Sequence, residues 1–300
     1  MPEPAAPAVS TPADLIVIPA RYGSTRLPGK PLLMIAGQTL LERVAAVARA
    51  AAEQAGECDV VVATDDQRIA DHATSLGLEV VLTAAELDSG SARAGAAAPA
   101  RAGAAPVVCG FWGGAGRGAR RPACAPRVVI NLQGDAPFIP PAVVAELIET
   151  LRRGTADVAT PVFRLDWDRL DRLRAHKLSA PFSGTTCVRG PDGRALWFSK
   201  TILPAMRDEA TLRTEPSSPV WQHLGLYGYR IAALEWFASA PPSRYERLEG
   251  LEQLRFLENG WTVTTIETDA PEHALSGIDT PADLALAEAA IARLGDPFPR

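Results

Sequence analysis

Through its first third the chain alternates short β-branched runs with helical patterns: 15–20 then 39–55, 59–64 then 67–76, then 79–83. Few folds accept that order, because parallel strands need helical crossovers and each helix must cover one face of the sheet. It predicts an α/β sheet with helices on both faces. The helix at 39–55 has an explicit start, since Thr39 and Glu42 stand as a capping box ahead of Leu40, Leu41, Val44 and Val47. A strand at 128–132 and a Pro-started helix at 141–153, stopped by Gly154, come next. The run 185–200 reads as a hairpin turned by Gly190-Pro191-Asp192-Gly193, where glycine tolerates positive φ. Strands are expected at 223–230 and 262–268, with a helix over 248–258 between them. The last helix, 281–294, has Thr280 as N-cap, Pro281 in its first position and Gly295 as stop.

One segment departs from this pattern. Residues 94–127 are mainly Ala, Gly, Pro and Arg, include no acidic residue and hold two of the four cysteines. With so little apolar periodicity such a stretch buries too little surface to offset its ordering entropy, so a mobile insertion is predicted. Its abrupt ends would also suit a locally shifted reading frame. Residues 1–13 have neither a basic start nor an apolar run, so they read as a disordered tail rather than a signal peptide.

The 300 residues, 47% hydrophobic and 22% charged, suit one domain over 14–295 with a substantial core. A net charge of −5 disfavours a nucleic-acid partner, whose phosphates call for a broad basic surface. No apolar stretch approaches the roughly 20 residues that cross a bilayer, so no membrane partner and a cytoplasmic location are expected. Cys58, Cys109, Cys124 and Cys187 form no CxxC pair, which disfavours a zinc site or disulfide framework and fits a reducing compartment.

The stretch IPARYGSTRLPGKPL (18–32) has the look of a phosphate-binding P-loop, but five residues separate Gly23 from Gly29, and Pro31 stands where a Ser or Thr should hold magnesium. It is not a P-loop. Arg21, Arg26 and Lys30 are nonetheless three cations in one loop after a strand, where ligands of open α/β sheets sit. Gln133-Gly134-Asp135 ends another strand, and Asp279 precedes the cap of the last helix. Taken singly, such residues are ordinarily caps or solvated charges. Together, two carboxylates suited to magnesium and a basic loop point to phosphoryl or nucleotidyl transfer, which mainly needs charge neutralisation and positioning.

The set IPARYGSTRLPGKPL, VVATDDQRIADHA, NLQGDAPFIPP, HLGLYGYR, LEGLEQLRFL and GIDTPADL, in that order, resembles the 3-deoxy-manno-octulosonate cytidylyltransferases, the CMP-Kdo synthetases of lipopolysaccharide biosynthesis. The resemblance implies a nucleotide-diphospho-sugar transferase-like fold with a mixed, mainly parallel sheet. Its hairpin region, 185–230, would lie at a homodimer interface. It implies attack of the anomeric hydroxyl of 3-deoxy-manno-octulosonate (Kdo) on the α-phosphorus of CTP, giving CMP-Kdo and diphosphate. Ala20, Arg21, Arg26, Lys30, Ser89, Gly90 and Arg93 would bind the nucleotide, and Asp135 and Asp279 would hold Mg2+. Arg21, Lys30, Asp135 and Asp279 would carry catalysis. Gln133, Lys200, His223, Tyr227, Glu252 and Gln253 would bind the sugar.

This chain departs from the family pattern in several places. Ser89-Gly90-Ser91-Ala92-Arg93 lacks the acidic residue usual in that turn, and Ala136 replaces the Glu of Asp-Glu-Pro. Lys200 replaces an arginine whose fork matches a sugar carboxylate, and the block at 177–188 is altered. Two alternatives therefore stay open: the same chemistry on a Kdo variant or sialic acid, and a nucleotide-sugar binder that has lost catalysis.

Overall fold

The computed structural model describes residues 14–23, 27–87, 89–101, 126–271 and 277–298, side chains at 99–101 excepted. The chain opens with β1 (Asp14–Ala20), a 3₁₀ turn (Lys30–Leu32), the small ribbon β2 (Met34–Ile35) and β3 (Gln38–Thr39), and α1 (Leu40–Ala55). There follow β4 (Cys58–Thr64), α2 (Gln67–Ser75), β5 (Glu79–Leu82), α3 (Gly90–Arg101), β6 (Val128–Asn131), α4 (Pro141–Arg153), β7 (Val158–Asp166) and α5 (Trp167–Ser179). The second half contains β8 (Thr186–Arg189), β9 (Ala195–Ser199), α6 (Glu209–Leu212), β10 (Ser217–His223), β11 (Tyr227–Arg230) and α7 (Ile231–Ser239). It closes with α8 (Arg244–Glu249), α9 (Gln253–Glu258), β12 (Val263–Glu267) and α10 (Pro281–Leu294).

The main sheet runs β5-β4-β1-β6-β11-β7-β10-β8-β9, with β12 also paired to β7. Strands β5, β4, β1 and β6 are parallel, while β11 runs antiparallel to both β6 and β7. Side chains alternate across the sheet with period two. Leu15, Val17, Val61, Ala63 and Val129 enter one core, with α3, α7 and α9; Ile16, Ile18, Val62 and Ile130 enter the other, with α1 and α4. This bears out the expected single α/β fold with covered faces. Because β1 and β6 are neighbours, bonded where Leu132 N–H donates to Val17 O at 3.0 Å, their carboxyl ends bring Ala20-Arg21 beside Gln133-Gly134-Asp135.

The capping box at Thr39 and Glu42, the hairpin turn with Gly193 at φ 81°, and the Thr280 cap all form as expected. Three expectations need correction. The first eight residues of 94–127 belong to α3 rather than to a mobile insertion. Ala94, Ala97 and Ala98 are wholly buried, at i, i+3 and i+4, in the core shared with α7, and Gly95 lets the helix sit close against Leu234 of α7, where a Cβ would lie 3.6 Å from its side chain. The remainder of that range to 125, and the tail at 1–13, lie outside the described residues.

The strand expected at 223–230 is two strands, β10 and β11, separated by a turn in which Leu226 N–H donates to Leu224 O at 2.7 Å. The helix expected at 248–258 is likewise two, α8 and α9. Gly250 adopts φ 64°, a left-handed conformation that ends α8 and turns the chain. α9 is then fixed by a buried ion pair, Arg255 Nε to Glu246 Oε2 at 2.7 Å, with the guanidinium 3.9 Å from the Phe237 ring centre.

Candidate active site

The cleft lies beyond the carboxyl ends of β1 and β6, and Ala20, Arg21, Lys30, Ser89, Gly90, Arg93, Gln133, Asp135 and Asp279 all line it. Arg26 lies outside the described residues. Gly134 is a steric requirement, since a Cβ there would stand 2.4 Å from the Pro19 carbonyl oxygen. That close approach sets Asp135 against the end of β1. The Asp279 loop is held to the same place by Ile278 N–H, which donates to Asp135 O at 2.9 Å. The capping box of α10 fixes it further, because Asp279 N–H donates to Asp283 Oδ2 at 3.0 Å.

Lys30 completes the cluster. Gly29, at φ 67°, turns the chain into the 3₁₀ segment, and Lys30 Nζ donates to Asp135 Oδ2 at 2.7 Å and to Asp279 Oδ1 at 3.1 Å. Two carboxylates 144 residues apart in sequence (279 − 135) thus converge on a single cation. Their hard oxygen donors fit magnesium. Among the described residues no group of three or more His, Cys, Asp or Glu side chains could hold a metal, so phosphate oxygens and water would complete its shell. Arg21 is exposed at the cleft and makes no ion pair with a described residue.

Arg93 is used differently from the other cations. It is 2% exposed, and its guanidinium donates to Thr83 Oγ1, to Asp65 Oδ2 at 3.3 Å and to Leu87 O at 3.3 Å. It braces the ends of β4 and β5 against the turn before α3. Ser89 Oγ accepts from Ala92 N–H at 3.1 Å, so this turn keeps its cap without the missing acidic residue.

Of the residues expected to bind sugar, Gln133 lines the cleft, and a chain of contacts leads from it to Tyr227 and His223. A Cβ on Gly90 would lie 3.1 Å from Gln133 Oε1 and 3.2 Å from Asn131 Nδ2, so the turn, Gln133 and Asn131 crowd together. From there Asn131 donates to Ser91 Oγ at 3.4 Å, Ser91 meets the Tyr229 hydroxyl at 3.1 Å, Tyr229 stacks on Tyr227 at 6.0 Å, and Tyr227 lies 5.3 Å from the His223 ring. Burial raises both tyrosine pKa values, with the Glu252 carboxylate among the further causes, so both rings stay neutral donors. Burial, aided by the Lys200 charge, pushes His223 down to about 3. It is a neutral imidazole at any physiological pH.

Lys200 Nζ donates to Thr185 Oγ1 at 3.0 Å, while its backbone N–H donates to Glu249 Oε2 at 2.8 Å; burial lowers its pKa and Glu249 opposes that shift. Gln253 Nε2 and Asn131 Oδ1 are buried with no partner among the described residues, one a donor and one an acceptor. Buried polar atoms of that kind favour a polar ligand.

Asn131, Ser91, Tyr229, Thr185 and Glu249 take part in these contacts without having been expected there. Asn131 carried a legible signal, a polar residue inside an otherwise apolar strand. The others had none, because their meaning lies in partners far along the chain.

A model of the cytidylyltransferase family matches residues 15–110 and 121–267. The 3-deoxy-manno-octulosonate cytidylyltransferase of Maricaulis maris is 41% identical over 283 residues, 94% of this chain and 98% of that one. Its counterpart in Xanthomonas campestris pv. campestris is 38% identical over 282 residues, 93% of this chain and 99% of that one. The solved structure of CMP:2-keto-3-deoxy-manno-octonic acid synthetase complexed with CTP superposes with a TM-score of 0.75 at 29% identity, covering 95% of this chain and 100% of that chain. A cytidylyltransferase from Leptospira borgpetersenii, with a TM-score of 0.56, 17% identity and coverage of 94% and 88%, shares the fold.

Proposed function

The chain belongs to the cytidylyltransferase family, and we propose that it activates Kdo with CTP to give CMP-Kdo and diphosphate. The observation that carries this conclusion is a cleft lined by Lys30, Asp135, Asp279 and Gln133, beside which contacts through Asn131, Ser91 and the tyrosines gather neutral hydroxyl, amide and imidazole groups. The first suits a triphosphate and the second a polyhydroxylated sugar.

Arg21 and Lys30 offset charge on the triphosphate and on the leaving diphosphate. The anomeric hydroxyl of Kdo attacks the α-phosphorus, the bond to the diphosphate oxygen breaks, the sugar takes the CMP group and the hydroxyl proton passes to water. Gln133, His223, Tyr227, Glu252 and Gln253 orient the sugar hydroxyls, each of which loses water and needs a partner. Lys200 offers the sugar carboxylate a point charge instead of a fork. Asp135 and Asp279 would hold magnesium, which when bound supplies a Lewis acid at the phosphate and a lower pKa for the attacking hydroxyl.

The same function makes the product a precursor for lipopolysaccharide, made in the cytoplasm by a homodimer. Cys58 and Cys187 carry free thiols, in keeping with a reducing compartment, and among the described residues no helix is long and apolar enough to cross a membrane. Leu196 in the hairpin and Leu248 on α8 are 56% and 68% exposed, which supports an apolar contact between copies there.

Asp135→Asn tests the metal assignment. It should lower magnesium-dependent diphosphate release from CTP and Kdo by about 100-fold or more, because the change removes only a charge, with an unaltered far-ultraviolet dichroism spectrum. Wild-type turnover in that variant would contradict the assignment.

A further inference from the structure

His223 ends β10 and stands between the Phe198 ring, 5.2 Å away, and the Tyr227 ring, 5.3 Å away. Its Nε2 lies 2.8 Å from Oγ1 of Thr160, a fully buried residue of β7. The Thr160 hydroxyl has one proton, and Oγ1 is also 2.7 Å from the Leu226 carbonyl oxygen, which can only accept. The proton must lie on that side. Oγ1 therefore accepts from His223, so Nε2 is the nitrogen that carries hydrogen, and Nδ1 of the neutral ring keeps its lone pair. Nδ1 has no hydrogen-bond partner among the described residues.

We propose that Thr160 is a positioning residue for sugar recognition: it fixes His223 in the Nε2–H tautomer, so that Nδ1 accepts from a hydroxyl of the acidic sugar. A carboxylate offers only acceptors and is turned away from this nitrogen, which leaves it to Lys200. The inference rests on the sugar role given to His223 above. Thr160 itself touches no substrate; it acts through the ring.

Nitrogen-proton long-range correlation spectra of the free protein read the tautomer directly. The chain has four histidines, and His223→Gln identifies the relevant signals. The expected wild-type pattern is a protonated Nε2 and a bare Nδ1 throughout about pH 5 to 8, the range in which an ordinary histidine titrates. Thr160→Val should lose that single-tautomer pattern and raise KM for Kdo about five- to tenfold, the share of one hydrogen bond, with KM for CTP unchanged. Thr160→Ser, which keeps the hydroxyl, should restore both.

An Nδ1–H tautomer in the wild type overturns the proposal, and that spectrum decides even if Thr160→Val does not fold. A Thr160→Val protein with the wild-type tautomer and the wild-type KM for Kdo overturns it as well. The spectrum needs no substrate, so a wild-type protein inactive on Kdo with the Nε2–H tautomer in place would count against the proposed function and not against tautomer fixation by Thr160.

Discussion

Gly134 and Lys30 illustrate two ways in which a single residue builds the site. At Gly134 the backbone passes so near β1 that a methyl group would meet the Pro19 carbonyl oxygen at 2.4 Å. Gly134→Ala should therefore lower the urea unfolding midpoint by an amount equivalent to about 1–3 kcal/mol and reduce turnover, since Asp135 moves with the loop. A wild-type midpoint in that variant would contradict the close approach. Lys30 draws Asp135 and Asp279 to one point. These three were legible in the sequence as a combination, a basic loop and two carboxylates at element ends. Thr160 was not, because its role appears only when residue 160 meets residues 223 and 226 across the sheet.

Among the elements, α3 is the informative case. Its alanines resemble a featureless segment in composition, yet Ala94, Ala97 and Ala98 are wholly buried. Ala94→Leu should overpack the contact and cost about 1–3 kcal/mol in a denaturant titration, whereas a mobile segment would accept the larger side chain without change. The early strands and helices were readable because β-branched runs, capping boxes and stop glycines all agree along 14–83. β7 was not, since Pro161 stands inside it, and proline ordinarily excludes a central strand. The structure accommodates it: Pro161 O still accepts from Leu224 N–H at 3.0 Å. α5 buries only Leu170, so its sequence carries little apolar period to read.

Across the whole molecule, residues 296–298 are locked to 38–43. Arg43, 1% exposed, donates to Asp296 Oδ1 at 2.9 Å and Oδ2 at 3.0 Å, and Gln38 Nε2 donates to Phe298 O at 2.8 Å. The hydrogen bond from Arg43 holds the Asp296 pKa below the usual carboxylate value. A depressed native pKa contributes stability that is fully present above the unfolded value, about pH 4, and lost as pH falls through the lower native one. Asp296→Asn should thus be less stable than wild type near neutrality, with the gap narrowing below about pH 4 in chemical unfolding curves. A gap constant with pH would contradict the lock. The single α/β domain was legible from element order alone, but the joining of 38–43 to 296–298 was not, because nothing local in either stretch names the other.

The most direct test of the proposed function is diphosphate release from CTP by the purified protein with magnesium and a panel of acidic sugars, with the product identified by phosphorus NMR. Kdo should support turnover and yield CMP-Kdo, while sialic acid should not. Turnover with sialic acid but not Kdo, or CTP binding with no turnover on any acidic sugar, would contradict it.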